Sequence, residues 1–259
     1  MKLYYKESGN TEASLIVFLH GGGVSGWMWE QQIQYFKDYH CLVPDLPGHG
    51  LSSSTDFSIH HTAEEILSLI LTKAQGKKVI LIGFSLGAQV AIKILSMNTD
   101  IVDYAILNSA LVRPIPLANK IIKPTIWLTY RLTKNRTFSK LQAKQLYISE
   151  QMFETYYKET NNMERNTLIN ILEENMSFSI PKDFSRSKSK ILITVGDQEK
   201  KMMKKSVLDL MDKTIHCKGI IIPNVGHGAS LSEPELFNKI VDAWIHDREL
   251  PNGLVPIKR

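Results

Sequence analysis

At 259 residues, 43% of them hydrophobic, the chain can bury one large core and suits a single α/β domain with an insertion better than two independent domains. Met1 to Glu7 lacks the apolar run that opens a secretory signal, and no stretch approaches the length of a membrane span, so a cytoplasmic protein with no integral membrane segment is expected. The net charge of +5 is local: Arg113, Lys120, Lys123, Arg131, Lys134, Arg136, Lys140 and Lys144 have no Asp or Glu among them, and no nucleic-acid motif accompanies them, which leaves solvated helix faces or attraction of an anionic substrate or surface and argues against nucleic acid as a partner.

Leu15 to Leu19 is an unbroken apolar run, as expected for a strand covered on both faces of a parallel sheet. It ends in His20-Gly21-Gly22-Gly23, where the chain must turn and where main-chain N–H groups can approach a ligand. A phosphate-binding loop is the competing reading, and it fails because neither G-x-G-x-x-G nor G-K-[ST] is present. A helix is expected over Trp29 to Lys37, with Trp27 either in the core or at the mouth of a pocket. His40 to Asp45 reads as the next strand, with a loop rich in turn formers over Leu46 to Ser52. Ile59 to Ala74 then carries Ala63, Ile66, Leu67, Ile70 and Leu71 at helical spacing and stops at Gly76.

Lys78 to Ile82 is a third buried-strand run. It feeds Gly83-Phe84-Ser85-Leu86-Gly87, after which Ala88 to Met97 reads as helix. A G-x-S-x-G match in an arbitrary loop would mean little. Between a strand and a helix it describes a sharp turn that strains the central residue, requires small neighbours, and lifts the serine hydroxyl clear of the sheet beside free helix N–H groups. A further strand is read over Val102 to Leu107, ending at Asn108-Ser109. The alternation of strand and helix then breaks, and from Arg113 to Phe184 the text is helical, punctuated by Pro114, Pro116, Pro124 and Pro181. These helices are expected either to cover the site or to act as outer-layer packing. The sheet resumes at Ile191 to Gly196, followed by Asp197-Gln198-Glu199, a helix over Lys201 to Met211, a strand over Gly219 to Ile222, and Pro223-Asn224-Val225-Gly226-His227-Gly228. A helix over Pro234 to His246 and a loose tail from Leu250 to Arg259 complete the chain. Cys41 and Cys217 stand outside every motif and are expected to be buried or idle thiols.

The serine turn, the His-Gly loop after the first strand and the chain order serine, acid, histidine together resemble the α/β-hydrolase family. The resemblance implies an α/β-hydrolase fold, a mostly parallel doubly wound sheet made of residues 1–112 and 185–259, with a helical cap at 113–184. It implies Ser85 as nucleophile and His227 as base, with Gly22 and Leu86 N–H groups as the oxyanion hole and Gly23 the neighbouring possibility for Gly22. The family's Asp-x-x-Gly-x-Gly-x-Ser loop is mainly structural, so Asp45 and His49 are not nominated for catalysis. Its acid falls three residues after the strand-end glycine; that position is Glu199, although Asp is the commoner residue there, and Asp197 is the alternative. The activity implied is that of a serine hydrolase acting on a small-molecule acyl substrate, a small carboxylic ester or thioester, with no cofactor or metal. Serine at the turn argues against the dehalogenase and epoxide hydrolase branches. Cleavage of a carbon–carbon bond beside a ketone, and a weakly catalytic ligand receptor or regulatory partner, are the alternatives, and Trp27 is the expected substrate-binding residue. Oligomeric state is not readable.

Overall fold

The computed structural model describes residues 3–52 and 57–258; Met1, Lys2 and Arg259, the outer ends of the two expected core segments, lie outside the described residues. In chain order the elements are β1 (Tyr5–Gly9), β2 (Leu15–Leu19), a 3-10 turn (Gly26–Trp29), α1 (Glu30–Tyr35), β3 (His40–Pro44), α2 (Ile59–Ala74), β4 (Val79–Phe84), α3 (Leu86–Met97) and β5 (Tyr104–Asn108). Four helices follow: α4 (Ala118–Thr133), α5 (Arg136–Gln145), α6 (Glu150–Asn162) and α7 (Arg165–Ser177). A second 3-10 turn (Lys182–Arg186) leads to β6 (Lys190–Gly196), α8 (Lys201–Met211), β7 (Cys217–Ile222), α9 (Ala229–Ser232), α10 (Pro234–Ile245) and β8 (Val255–Ile257).

The strands form one sheet in the order β1-β3-β2-β4-β5-β6-β7-β8, parallel from β3 to β7 and antiparallel at both edges. The apolar runs alternate between two cores. Leu15, Val17 and Leu19 face the cluster built with α2, α3 and α8, whereas Ile16 and Phe18 face the cluster built with α1 and α10. A strand buried on both faces has no polar side to show, which is why β2 and β4 read as continuous hydrophobic stretches.

Strand order reverses at β2. The chain moves outward from β2 to β3, then returns to place β4 on the other side of β2, with Leu19 opposite Gly83. The loops after β2 and β4 therefore flank one crevice at the carboxyl ends of the strands, where ligands bind in open α/β sheets. This brings Gly21–Gly23 beside Ser85.

Three features differ from the sequence reading. Residues 250–259 are not a loose tail throughout: Val255–Ile257 pairs antiparallel with β7, and Pro256 is tolerated because the strand is at the edge. The polar stretch Tyr5–Gly9 is a strand, paired antiparallel with β3. The helix expected over Trp29 to Lys37 is a 3-10 turn followed by the shorter α1. Ile171 of α7, Phe178 and Phe184 belong to the core cluster formed by the sheet and α3.

The inserted helices are tied to the main body by partly buried polar contacts. Gln89 of α3 donates to the carbonyls of Leu111 (2.7 Å) and Asn175 (2.9 Å) and accepts from Asn175 Nδ2 (2.9 Å). Glu159 of α6 accepts from Ser25 Oγ and Trp27 Nε1, both at 2.9 Å. Among the described residues no helix is long and apolar enough to cross a membrane.

Candidate active site

Ser85 sits between β4 and α3 at φ 52° and ψ −112°, a backbone conformation that costs on the order of 1–3 kcal/mol for a residue with a side chain. Its N–H donates to Asn108 O (2.9 Å), and its carbonyl accepts from Ala88 N (3.0 Å), which fixes the turn. Both glycines are sterically required. A Cβ on Gly83 would stand 2.7 Å from Ala88 N, and one on Gly87 would run into the carbonyls of Leu19 and His20. Gly21 is constrained in the same way, since its Cβ would lie 2.8 Å from the Phe84 ring.

The described structure brings three of the expected residues into one hydrogen-bonded chain. Ser85 Oγ is 3.0 Å from His227 Nε2, and His227 Nδ1 is 2.8 Å from Glu199 Oε2. The other Glu199 oxygen accepts from Ser109 Oγ (2.7 Å) and Gly196 N (3.0 Å). A carboxylate that already accepts these donors holds the Nδ1–H of His227, which leaves Nε2 as the acceptor facing the serine hydroxyl. The Glu199 side chain is only 2% exposed. Burial opposes its ionisation, but the bond and charge of His227, with the Ser109 hydroxyl and Gly196 N–H, outweigh it and hold the carboxyl below its ordinary range.

Asp197 is not part of this chain. It stands at the strand end, its backbone N–H donates to Ile222 O (3.0 Å), and its backbone carbonyl takes Lys204 Nζ (2.5 Å). The extra methylene of glutamate and the return of the loop at Glu199, whose N–H donates to Gly196 O (3.2 Å), carry the carboxylate to the histidine.

Ser85, His227, Gly22, Gly23 and Leu86 share one cavity of about 520 Å³ with residues of α4, α5, α6 and α7. Ile126, Phe138, Leu146, Met163, Leu168, Ile171 and Leu172 supply its apolar surface. Its polar side chains besides Ser85 and His227 are Thr129, Tyr130, Thr133, Gln142, Gln145, Tyr156, Thr160 and Asn175, with no Asp, Glu, Lys or Arg among the lining residues. Trp27, the expected substrate-binding residue, is not among the lining residues of this cavity, and its indole N–H donates to Glu159.

Two contributions escaped the sequence reading. Ser109, at φ 56°, offers its hydroxyl to Glu199 from the end of β5. Tyr147, in the turn between α5 and α6, accepts the Gly226 N–H at its hydroxyl (2.8 Å) and so steadies the loop that carries His227. The Asn108-Ser109 strand end was visible in the sequence; nothing at Tyr147 marked it.

The neighbouring histidines have structural roles. His20 Nδ1 bonds Gly21 O (2.8 Å), and Nε2 accepts from Leu46 N (2.8 Å), which requires a neutral ring. Burial lowers its pKa to about 4, and burial followed by the nearby His20 lowers that of His49 to about 3. Asp45 accepts from Gly26 N and Leu51 N, both at 2.8 Å, and ties the two loops together. Cys41 and Cys217 are buried, and burial pushes the Cys41 thiol up to about 12.

A profile of the alpha/beta hydrolase family matches residues 16–240. The (E)-2-((N-methylformamido)methylene)succinate hydrolase of Acinetobacter baylyi is 24% identical over 251 residues, covering 93% of each chain. The pimeloyl-[acyl-carrier protein] methyl ester esterase of Proteus mirabilis is 33% identical over 100 residues, which are 38% of this chain and 37% of that protein. Among solved structures, the enol-lactonase from Burkholderia xenovorans superposes with a TM-score of 0.79 at 14% identity, over 94% of this chain and 96% of that one.

Proposed function

Because the chain belongs to the alpha/beta hydrolase family, we propose that it is a serine hydrolase that cleaves small carboxylic esters, thioesters included, through an acyl-enzyme on Ser85. The observation that carries this reading is the hydrogen-bonded chain Ser85–His227–Glu199, whose first two members line the cavity. His227 Nε2 takes the hydroxyl proton as Ser85 Oγ attacks the acyl carbonyl. The resulting imidazolium lies against the Glu199 carboxylate, and the same proton then passes to the departing alkoxide or thiolate. The N–H groups of Gly22 and Leu86 receive the oxyanion, Gly23 being the neighbouring donor. Water, deprotonated by His227, releases the acid and restores the serine. Helices α4 to α7 act as the cap that shapes the acyl pocket.

The wall chemistry favours an uncharged acyl group. A succinate, as in the name of the Acinetobacter relative, brings carboxylates, and no Lys or Arg lines this cavity to receive them. A panel of chromogenic esters with acyl chains of graded length, each paired with its terminal-carboxylate counterpart, tests this. The neutral ester of each pair is expected to have the higher kcat/KM, by about 10²-fold or more. Preference for the carboxylate-bearing members would refute the assignment, and absence of turnover across the panel would refute ester hydrolysis itself.

A further inference from the structure

Helix α4 has two unlike faces. Ile126, Thr129, Tyr130 and Thr133 look into the cavity. At 100° per residue, Ile121, Leu128 and Leu132 fall within about 40° of one another on a face centred about 130° away. That outer face is not covered by the rest of the protein: Leu128 is 85% exposed, Ile121 57% and Leu132 47%, with Leu117 just before the helix 62% exposed and Leu141 on the adjacent α5 62% exposed. Isolated exposed leucines are ordinary, whereas an aligned row on one helix marks a surface that meets something apolar.

The charge around this row selects the partner. Residues 113–144 contain eight Lys and Arg and no Asp or Glu. Arg113 and Arg136 are engaged by Asp209 and Glu154, and Lys134 by main-chain carbonyls. Lys120, Lys123, Arg131 and Lys144 are exposed, with no ion pair among the described residues. Lys120 and Arg131 flank the apolar row on one side. An exposed apolar row edged by unneutralised cations, on a helix too polar to span a bilayer, has the composition of an interfacial helix.

We propose that the outer face of α4, with Leu141 of α5, docks the protein on an anionic lipid surface. The leucines and Ile121 enter the headgroup boundary, and Lys120 and Arg131 meet lipid phosphates. The inner face of the same helix walls the cavity, so docking sets that wall against the membrane. The inference is independent of which ester is cleaved.

The test is co-sedimentation of the full chain with sucrose-loaded phosphatidylcholine vesicles, with and without phosphatidylglycerol, at low and high salt. The wild type is expected to bind the anionic vesicles at least about tenfold more tightly than the neutral ones, and to be released by salt. Ile121→Glu/Leu128→Glu and Lys120→Glu/Arg131→Glu should each lose most of the binding, with unchanged melting temperature and unchanged turnover of a short soluble ester. Failure of the wild type to bind, or equal binding to both vesicle types, overturns the proposal whether or not the variants fold. So does sedimentation velocity that shows a dimer broken by Ile121→Glu/Leu128→Glu in a protein that ignores vesicles, because the row then joins two copies of this chain.

Discussion

Replacing Ser85 with alanine is expected to lower ester turnover by about 10³-fold or more while leaving the melting temperature close to that of the wild type. Among the described residues the hydroxyl has one side-chain partner, His227 Nε2, and its removal leaves the Cβ and the strained backbone as they were. Ser85→Gly should be as inactive but more stable, because glycine adopts φ 52° without the strain borne by serine. The pair separates catalysis from structure. Turnover near wild type in a folded Ser85→Ala protein would eliminate the acyl-enzyme route.

Glu199→Gln is the second large effect, with an expected fall in kcat of roughly 10²- to 10⁴-fold at neutral pH. The amide is nearly the same shape, but one acceptor becomes a donor. If its nitrogen takes the place of Oε2 it faces His227 Nδ1–H, and the ring must shift to the tautomer with hydrogen on Nε2, which cannot accept the serine proton. If it takes the place of Oε1 it opposes the Gly196 N–H in a buried site. Asp197→Asn should retain a kcat close to wild type, since that carboxylate makes no bond to His227. The reverse outcome, collapse of the Asp197 variant with a normal Glu199 variant, would move the acid to Asp197.

The central sheet was legible because β2 and β4 are covered on both faces and spell unbroken apolar runs. The edges were not. β1 reads Tyr-Lys-Glu-Ser-Gly, with Lys6 and Glu7 exposed, and β8 is three residues long with a proline in the middle. Their pairing is supplied by β3 and β7, which no local pattern in either segment reveals.

At the site, the Gly83-to-Gly87 turn announces itself because two glycines are enforced by main-chain atoms only a few residues away or on the neighbouring strand end. His227 is visible only through its order behind the other motifs. The contacts of Ser109 with Glu199 and of Tyr147 with Gly226 join residues 90 and 79 positions apart, and neither residue type is distinctive in its own stretch. Trp27 follows closely after the Gly-rich loop, and a half-buried carboxylate on α6, remote in sequence, accepts its N–H.

The most direct test of the account is the site of covalent capture. A fluorophosphonate probe attacked by an activated serine should form a single adduct, which peptide mapping places at Ser85, and His227→Ala should label far more slowly because the serine then lacks its base. Capture at another serine, or ester turnover by a protein that the probe leaves unlabelled, would contradict it.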